Sequence, residues 1–267
     1  MKKFLKYIPL ALIFAVVVGC ATSAITGRRY LRLVDSETIN QQASVAYKEF
    51  LGTNSSKVVT GTAQATMVKN VGNRIATATQ QFLTERGIAD KFNFNWEFNL
   101  VESPDVNAWC MPGGKVAVYT GILPITATEA GLATVMGHEI AHAIEEHSVA
   151  QISNQMALQL GGAVIGGAAQ LSRNKSIGIF NQVYGIGGNI GMLSFSRQDE
   201  LAADRAGIII MALAGYDPNE AVQFWSRMAN AKSGQSQPEF LSTHPSDARR
   251  ISQLESLLPE AMKYYRK

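Results

Sequence analysis

The sequence predicts an α+β fold, mainly helical, built around one buried helix and a small sheet. Two observations carry the prediction. Residues 128–147 read as a helix that is apolar on most sides, through Leu132, Ala133, Val135, Met136, Ile140, Ala143 and Ile144. Phe92, Phe94, Trp96, Phe98 and Leu100 alternate with Asn93, Asn95, Glu97 and Asn99, the period of a half-buried strand over 92–100. A turn at Pro112-Gly113-Gly114 then leads into a second strand over 115–119.

Residues 1–19 read as a signal peptide. Lys2, Lys3 and Lys6 give a positive start, and 8–18 is an apolar run shorter than the roughly 20 residues of a membrane span. Val17-Val18-Gly19-Cys20 resembles a bacterial lipobox, with Val17 where that pattern prefers leucine. It implies a diacylated Cys20 with cleavage before it; the alternative is an ordinary signal peptide cut near Ala21 or Ala24. Each buried methylene adds roughly 0.8 kcal/mol, so two or three acyl chains hold firmly. No aspartate follows Cys20, which resembles outer-membrane sorting and a domain facing the periplasm. Residues 20–34 are then lipid anchor and tether, and 35–267 a single domain.

Within that domain, 35–51 reads as a helix and 52–56 as a loop. Residues 62–86 form a longer helix with Met67, Val71, Ile75 and Phe82 on one side and Gly87 as its stop. Thr126 or Thr128 caps the buried helix. Two apolar, glycine-rich runs, 156–171 and 177–192, flank Ser172-Arg173-Asn174-Lys175-Ser176. They are short for spans and suit close helix packing on the core, or an embedded hairpin. Helices follow over 197–214, ending at Gly215, and over 218–231, with Pro218 in the first turn. A polar loop over 231–239 precedes a last helix over 245–258.

The formal charge of +3 comes from Lys2, Lys3 and Lys6. Without them basic and acidic residues balance, which argues against a nucleic-acid partner. About 250 residues remain, enough for one sizeable core. With Cys20 acylated, Cys110 has no partner for an intramolecular disulfide and reads as a small buried residue.

His138-Glu139-Ile140-Ala141-His142 spells H-E-x-x-H inside the buried helix. Positions i and i+4 differ by only about 40° around a helix, so both histidines stand on one face and can grip one metal ion. Glu139 projects to the side, where a carboxylate can take a proton from water that the metal acidifies toward a pKa of about 7. Two histidines and a glutamate without a metal would be costly in so apolar a helix. Catalytic zinc usually takes a third protein ligand. Glu200 is the candidate, and Asp204 follows on the same face to hold the outer nitrogen of a ligand histidine, His138. A solvated acidic face is the alternative, opposed by Ala202, Ala203, Ala206 and Ile208–Ile210. Two histidines and a carboxylate also make an iron-oxygenase triad, which leaves Glu139 without a role.

These residues carry a resemblance. H-E-x-x-H followed by Phe195-Ser196-Arg197, Glu200, Ala203-Asp204 and Gly207 resembles the HtpX-like and CAAX-prenyl-protease-related zinc metallopeptidases, a gluzincin family. Asn107-Ala108 with Pro112-Gly113-Gly114, Gly215-Tyr216-Asp217-Pro218, and Thr243-His244-Pro245-Ser246 with Arg250-Ile251 match further family segments. Ile25-Thr26-Gly27-Arg28-Arg29 and the lipobox narrow it to a bacterial periplasmic lipoprotein branch similar to mitochondrial Oma-type peptidases.

The resemblance implies a gluzincin core over 35–267 with one Zn2+ on His138, His142 and Glu200. Glu139 is the base and Asp204 lies behind the ligands. His244 and Arg250 face the site as oxyanion stabilisers, with His244 alternatively a fourth ligand in a resting form. Asn107, Ala108 and the backbone of Gly114, Lys115 and Val116 through Val118 would bind an extended substrate on an edge strand lining the cleft. Trp109 and Cys110 receive no role, and His147 reads as a helix-end or surface residue rather than a ligand. The implied function is zinc-dependent cleavage of periplasmic or outer-membrane polypeptides, misfolded or damaged ones among them. The rival of another class is a metal-bearing chaperone that serves outer-membrane assembly machinery and rarely cuts.

Overall fold

A computed structural model describes residues 19–159, 173–184, 194–231, 238–244 and 248–266. Residues 1–18 of the expected signal peptide, much of the two glycine-rich runs, most of the polar loop and residues 245–247 lie outside the described residues.

A four-stranded sheet is the frame. Its strands are β3 (Val58–Val59), β4 (Glu97–Val101), β5 (Ala108–Met111) and β6 (Lys115–Tyr119), in the order β3-β4-β6-β5. β4 runs parallel to β6, with Glu97 opposite Lys115, and β5 runs antiparallel to β6, with Cys110 opposite Val116. Alternation along each strand sorts the side chains between two cores. Phe98, Leu100, Ala108, Val116 and Val118 face a larger core with helix α2 (Ala63–Glu85) and the helices after the sheet. Val101, Trp109, Met111 and Ala117 face a smaller one with α1 (Ser36–Thr53), α5 (His147–Gln159) and α6 (Arg173–Tyr184). The Tyr47 hydroxyl of α1 donates to the Val116 carbonyl of β6 at 2.6 Å, which pins the two together.

The strand expected over 92–100 forms a regular ladder only from Glu97 onward, preceded by one bond from the Asn95 amide to the Gly113 carbonyl. Phe92, Phe94 and Trp96 still stack in file, with ring centroids 5.5 and 4.5 Å apart. The alternation reports one-sided burial; ladder hydrogen bonds need a neighbour, and β6 starts only at Lys115.

Short α3 (Leu123–Thr126) leads to the buried helix α4 (Glu129–Ile144). Thr128 is its cap, accepting from the Gly131 amide at 2.9 Å. Leu132, Val135, Met136, Ile140 and Ile144 are all fully buried. At about 1.5–3 kcal/mol each, they contribute on the order of 10 kcal/mol against the entropy of ordering. α4 packs on α7 (Arg197–Leu213) at two glycines. A Cβ on Gly207 would lie 2.9 Å from the His138 nitrogen, so only glycine permits this approach. Helices α8 (Asn219–Ala231), α9 (Glu239–Thr243) and α10 (Ala248–Ala261) close the larger core.

Residues 20–34 differ from the expected tether. β1 (Cys20–Thr22) and β2 (Arg29–Leu31) form an antiparallel hairpin docked on the end of α4. Glu145 accepts from the amides of Ile25 and Thr26 and from the Thr26 hydroxyl. Glu146 accepts from Tyr30 and from Ser36. Two carboxylates at a helix C-terminus oppose its dipole, and these donors relieve that cost. Among the described residues no helix is long and apolar enough to cross a membrane.

Candidate metal centre

The crossing of α4 and α7 brings His138, His142 and Glu200 together, and α9 adds His244 from its C-terminal end. All four are buried, and one ligand atom from each lies within 4.8 Å of the others. His142 Nε2 is 3.1 Å from His138 Nε2, and His138 Nε2 is 3.2 Å from His244 Nδ1. Glu200 oxygens lie 3.4 Å from His138 Nε2 and from His142 Nε2, and 3.0 Å from His244 Nδ1. Ligands about 2.0–2.1 Å from a tetrahedral zinc stand roughly 3.3 Å apart, so this donor set fits that ion. Glu200 Oε2 is buried with only the Arg250 guanidinium at 3.0 Å and His138 Nε2 at 3.4 Å around it, and Glu139 Oε1 is buried 3.3 Å from His244 Nε2. Burial lowers the His142 pKa to about 3, keeping its lone pair free. For Glu200 burial acts the other way, but His244 and the hydrogen bonds of the three histidines outweigh it and hold the carboxylate ionised.

The outer nitrogen of each helical histidine is held. His138 Nδ1 lies 3.0 Å from Asp204 Oδ1. Burial disfavours charge on His138, yet its contacts with Asp204 and Glu200 prevail and raise its pKa. His142 Nδ1 meets His147 Nδ1 at 3.0 Å, and Phe195 stacks on the His142 ring with centroids 4.0 Å apart. His147 stands at a helix end, but buried beside the cluster instead of at the surface. α4 stops at Ile144, and Glu146 takes a left-handed φ of 55°. The turn swings His147, the first residue of α5, back toward His142.

Arg250 is in the cluster, but its guanidinium is engaged. Nε and Nη2 each donate to Asp204 at 2.7 Å, Nη1 lies 3.0 Å from Glu200, and the group lies 3.6 Å over Trp225. It faces Asp204 behind His138 and the ligand Glu200 itself, with Nη2 3.3 Å from the His138 ring, where the expectation put it toward an oxyanion.

Glu139 sits beside the sheet. Its carboxylate faces the Cys110 backbone of β5 and lies 3.3 Å from His244 Nε2. Burial pushes its pKa up to about 7, against the pull of His244. The strand order corrects the expected substrate strand. β6 lies between β4 and β5, so the backbone of Gly114, Lys115 and Val116 cannot serve as an open edge. A Cβ on Gly114 would moreover fall 2.5 Å from the Trp96 ring. Of the two edge strands, β3 and β5, it is β5 that packs against α4. Asn107 bonds β6 through its carbonyl, which accepts from Tyr119. Alternation then turns the backbone of Ala108 and Cys110 outward. Asn107 Oδ1 accepts from the Ala108 amide at 2.8 Å and shapes that edge. Cys110 and Phe195 are thus site residues without a role in the sequence reading.

A buried helix carrying H-E-x-x-H, a glutamate from a second helix and an open strand edge define a metallopeptidase-type centre. The chain belongs to peptidase family M48, whose model matches residues 63–258. It is 32% identical to the mitochondrial metalloendopeptidase OMA1 of Schizosaccharomyces pombe, over 89% of this chain and 66% of that protein. It is 29% identical to the human metalloendopeptidase OMA1, mitochondrial, over 90% of this chain and 46% of that protein. It is also 29% identical to a putative beta-barrel assembly-enhancing protease of Vibrio cholerae, over 69% of this chain and 37% of that protein. The chain thus spans less than two thirds of the length of these curated relatives.

Proposed function

We propose that this protein is a zinc-dependent endopeptidase that cuts extended segments of periplasmic or outer-membrane proteins, misfolded or damaged ones among them. The observation that carries this reading is the place of Glu139, between the ligand cluster and the open edge of β5. His138, His142 and Glu200 hold the ion. Zinc there supplies Lewis-acid polarisation and brings the pKa of water toward about 7. A polypeptide adds to the edge of β5 through Ala108 and Cys110, which sets its backbone across Glu139. Glu139 takes the proton of the attacking water and passes it to the leaving amine, a contribution of about 10²–10⁴-fold. Asp204 orients His138, and Arg250 balances the charge of Asp204 and Glu200.

His244 closes the cluster in a resting form, because its Nδ1 lies among the ligand atoms. His244→Ala then keeps zinc and raises turnover; a fall of about 10²-fold would assign it to the oxyanion instead.

Residues 1–19 are the signal peptide, and acylated Cys20 holds the domain, 35–267, on the outer membrane facing the periplasm. Cys20 is exposed at the start of the docked hairpin, which leaves little slack between anchor and domain. The name of the Vibrio cholerae relative supports outer-membrane assembly machinery as a partner, while the OMA1 names place those relatives in mitochondria. Digestion of unfolded casein by the full chain, with chelator and after zinc is restored, tests the activity. Cleavage should stop and return; undiminished cleavage in chelator contradicts it. Mass spectrometry of the mature amino terminus should find acylated Cys20, and a free Ala21 or Ala24 contradicts the anchor.

A further inference from the structure

His142 and His147 meet nitrogen to nitrogen, and the hydrogen bond has one sensible direction. We propose that His147 is a positioning residue that fixes His142 in the tautomer able to bind the metal, backed by Asp199 and by Arg28 of the amino-terminal hairpin. The inference rests on the zinc reading of the cluster.

His142 presents Nε2 to the ligand cluster and Nδ1 to His147 Nδ1, 3.0 Å away. A neutral imidazole has one donor and one acceptor nitrogen. If Nε2 of His142 gives its lone pair to the metal, its proton sits on Nδ1 and is donated. His147 Nδ1 then accepts, which places the His147 proton on Nε2. That nitrogen faces Asp199 Oδ1 at 3.8 Å, near enough for charge to favour this tautomer though longer than a hydrogen bond. Asp199 is held from both sides. It accepts from the Ser196 amide and hydroxyl at the cap of α7, and from Arg28 Nη1. Asp199 directly precedes Glu200, so one helical turn supplies a metal carboxylate and the far end of this chain of bonds. Phe195 covers His142 at 4.0 Å and lies 6.0 Å from the His147 ring.

His147 therefore does for His142 what Asp204 does for His138. Arg28 belongs to a segment that starts at Cys20, so the hairpin next to the proposed anchor is tied to a metal ligand.

The test is zinc affinity, by competition with a chromophoric chelator, on the full chain and its variants. His147→Leu keeps volume without an acceptor, whereas His147→Asn keeps an acceptor oxygen near the Nδ1 position. His147→Leu should bind zinc about 10–100-fold more weakly, and His147→Asn should stay within about threefold of the parent. Arg28→Gln should weaken binding by a few-fold. Melting of the metal-free forms should be alike for His147→Leu and His147→Asn. If His147→Leu does not fold, His147→Ala against His147→Asn makes the same comparison. Parent-like affinity in the variant lacking the acceptor overturns the proposal, as does equal loss in both variants with equally lowered melting. A parent chain that binds no zinc defeats the reading of the cluster itself, a result separable from either.

Discussion

The two ligand histidines stand one helical turn apart on the same helix, yet their surroundings differ in kind. His138 is backed by a carboxylate that is itself paired with a buried guanidinium, in a nest walled by Trp225. His142 is backed by a second imidazole under an aromatic lid, with its charged partners farther out. Charge density is high behind the first ligand and low behind the second. Damage behind His138 should therefore cost the fold as well as the metal, and damage behind His142 should cost the metal alone.

Asp204→Asn gives the largest expected effect. It leaves Arg250 buried with its best partner neutralised, and breaking a buried pair in this way costs about 3–5 kcal/mol. Denaturant unfolding of the metal-free variant should show that loss, and a loss no larger than that of His147→Leu would erase the contrast. Gly207→Ala comes next, since the added Cβ presses on the His138 backbone. Overpacking of this sort costs about 1–3 kcal/mol and should lower the melting temperature while shifting both ligands. An unchanged melting temperature would mean that the two helices can separate freely.

The smallest effect belongs to Arg205 and Glu260, which join α7 and α10, the helices of Asp204 and Arg250, at the surface. They form a two-pronged ion pair with distances of 2.8 and 3.1 Å, and both side chains are about a third or more exposed. Solvent screening limits Arg205→Gln to under about 1 kcal/mol. The Arg205 hydrogen bond lowers the Glu260 pKa against a slight rise from burial. The contribution is present above the ordinary carboxylate pKa and fades as pH falls through the lowered one. Unfolding of parent and variant should converge in that acid range, and a gap that persists there contradicts the assignment.

The sequence was legible where spacing alone settles geometry. His138, Glu139 and His142 follow from one helical repeat, and Glu200 and Asp204 from another. It was illegible where the chain turns. Read as one helix over 128–147, the chain puts His147 about 140° from His142; the left-handed turn at Glu146 undoes that rotation. Cys110 lies in a strand of four residues, too short for alternation to declare. The choice of β5 over β6 as the open edge depends on pairing order, which no local pattern carries. The hairpin over 20–31 looked like a tether because its partners, Glu145, Glu146 and Asp199, are more than 110 residues away.

The central claim is that Glu139 performs proton transfer beside a zinc held by its neighbours. Glu139→Gln removes the base and preserves the size of the side chain. Zinc content and kcat/KM on one unfolded substrate, measured side by side for parent and variant, test the claim most directly. The account predicts about one zinc in each chain and a kcat/KM at least about 10²-fold lower in the variant. Cleavage near the parent's rate with zinc retained would contradict it.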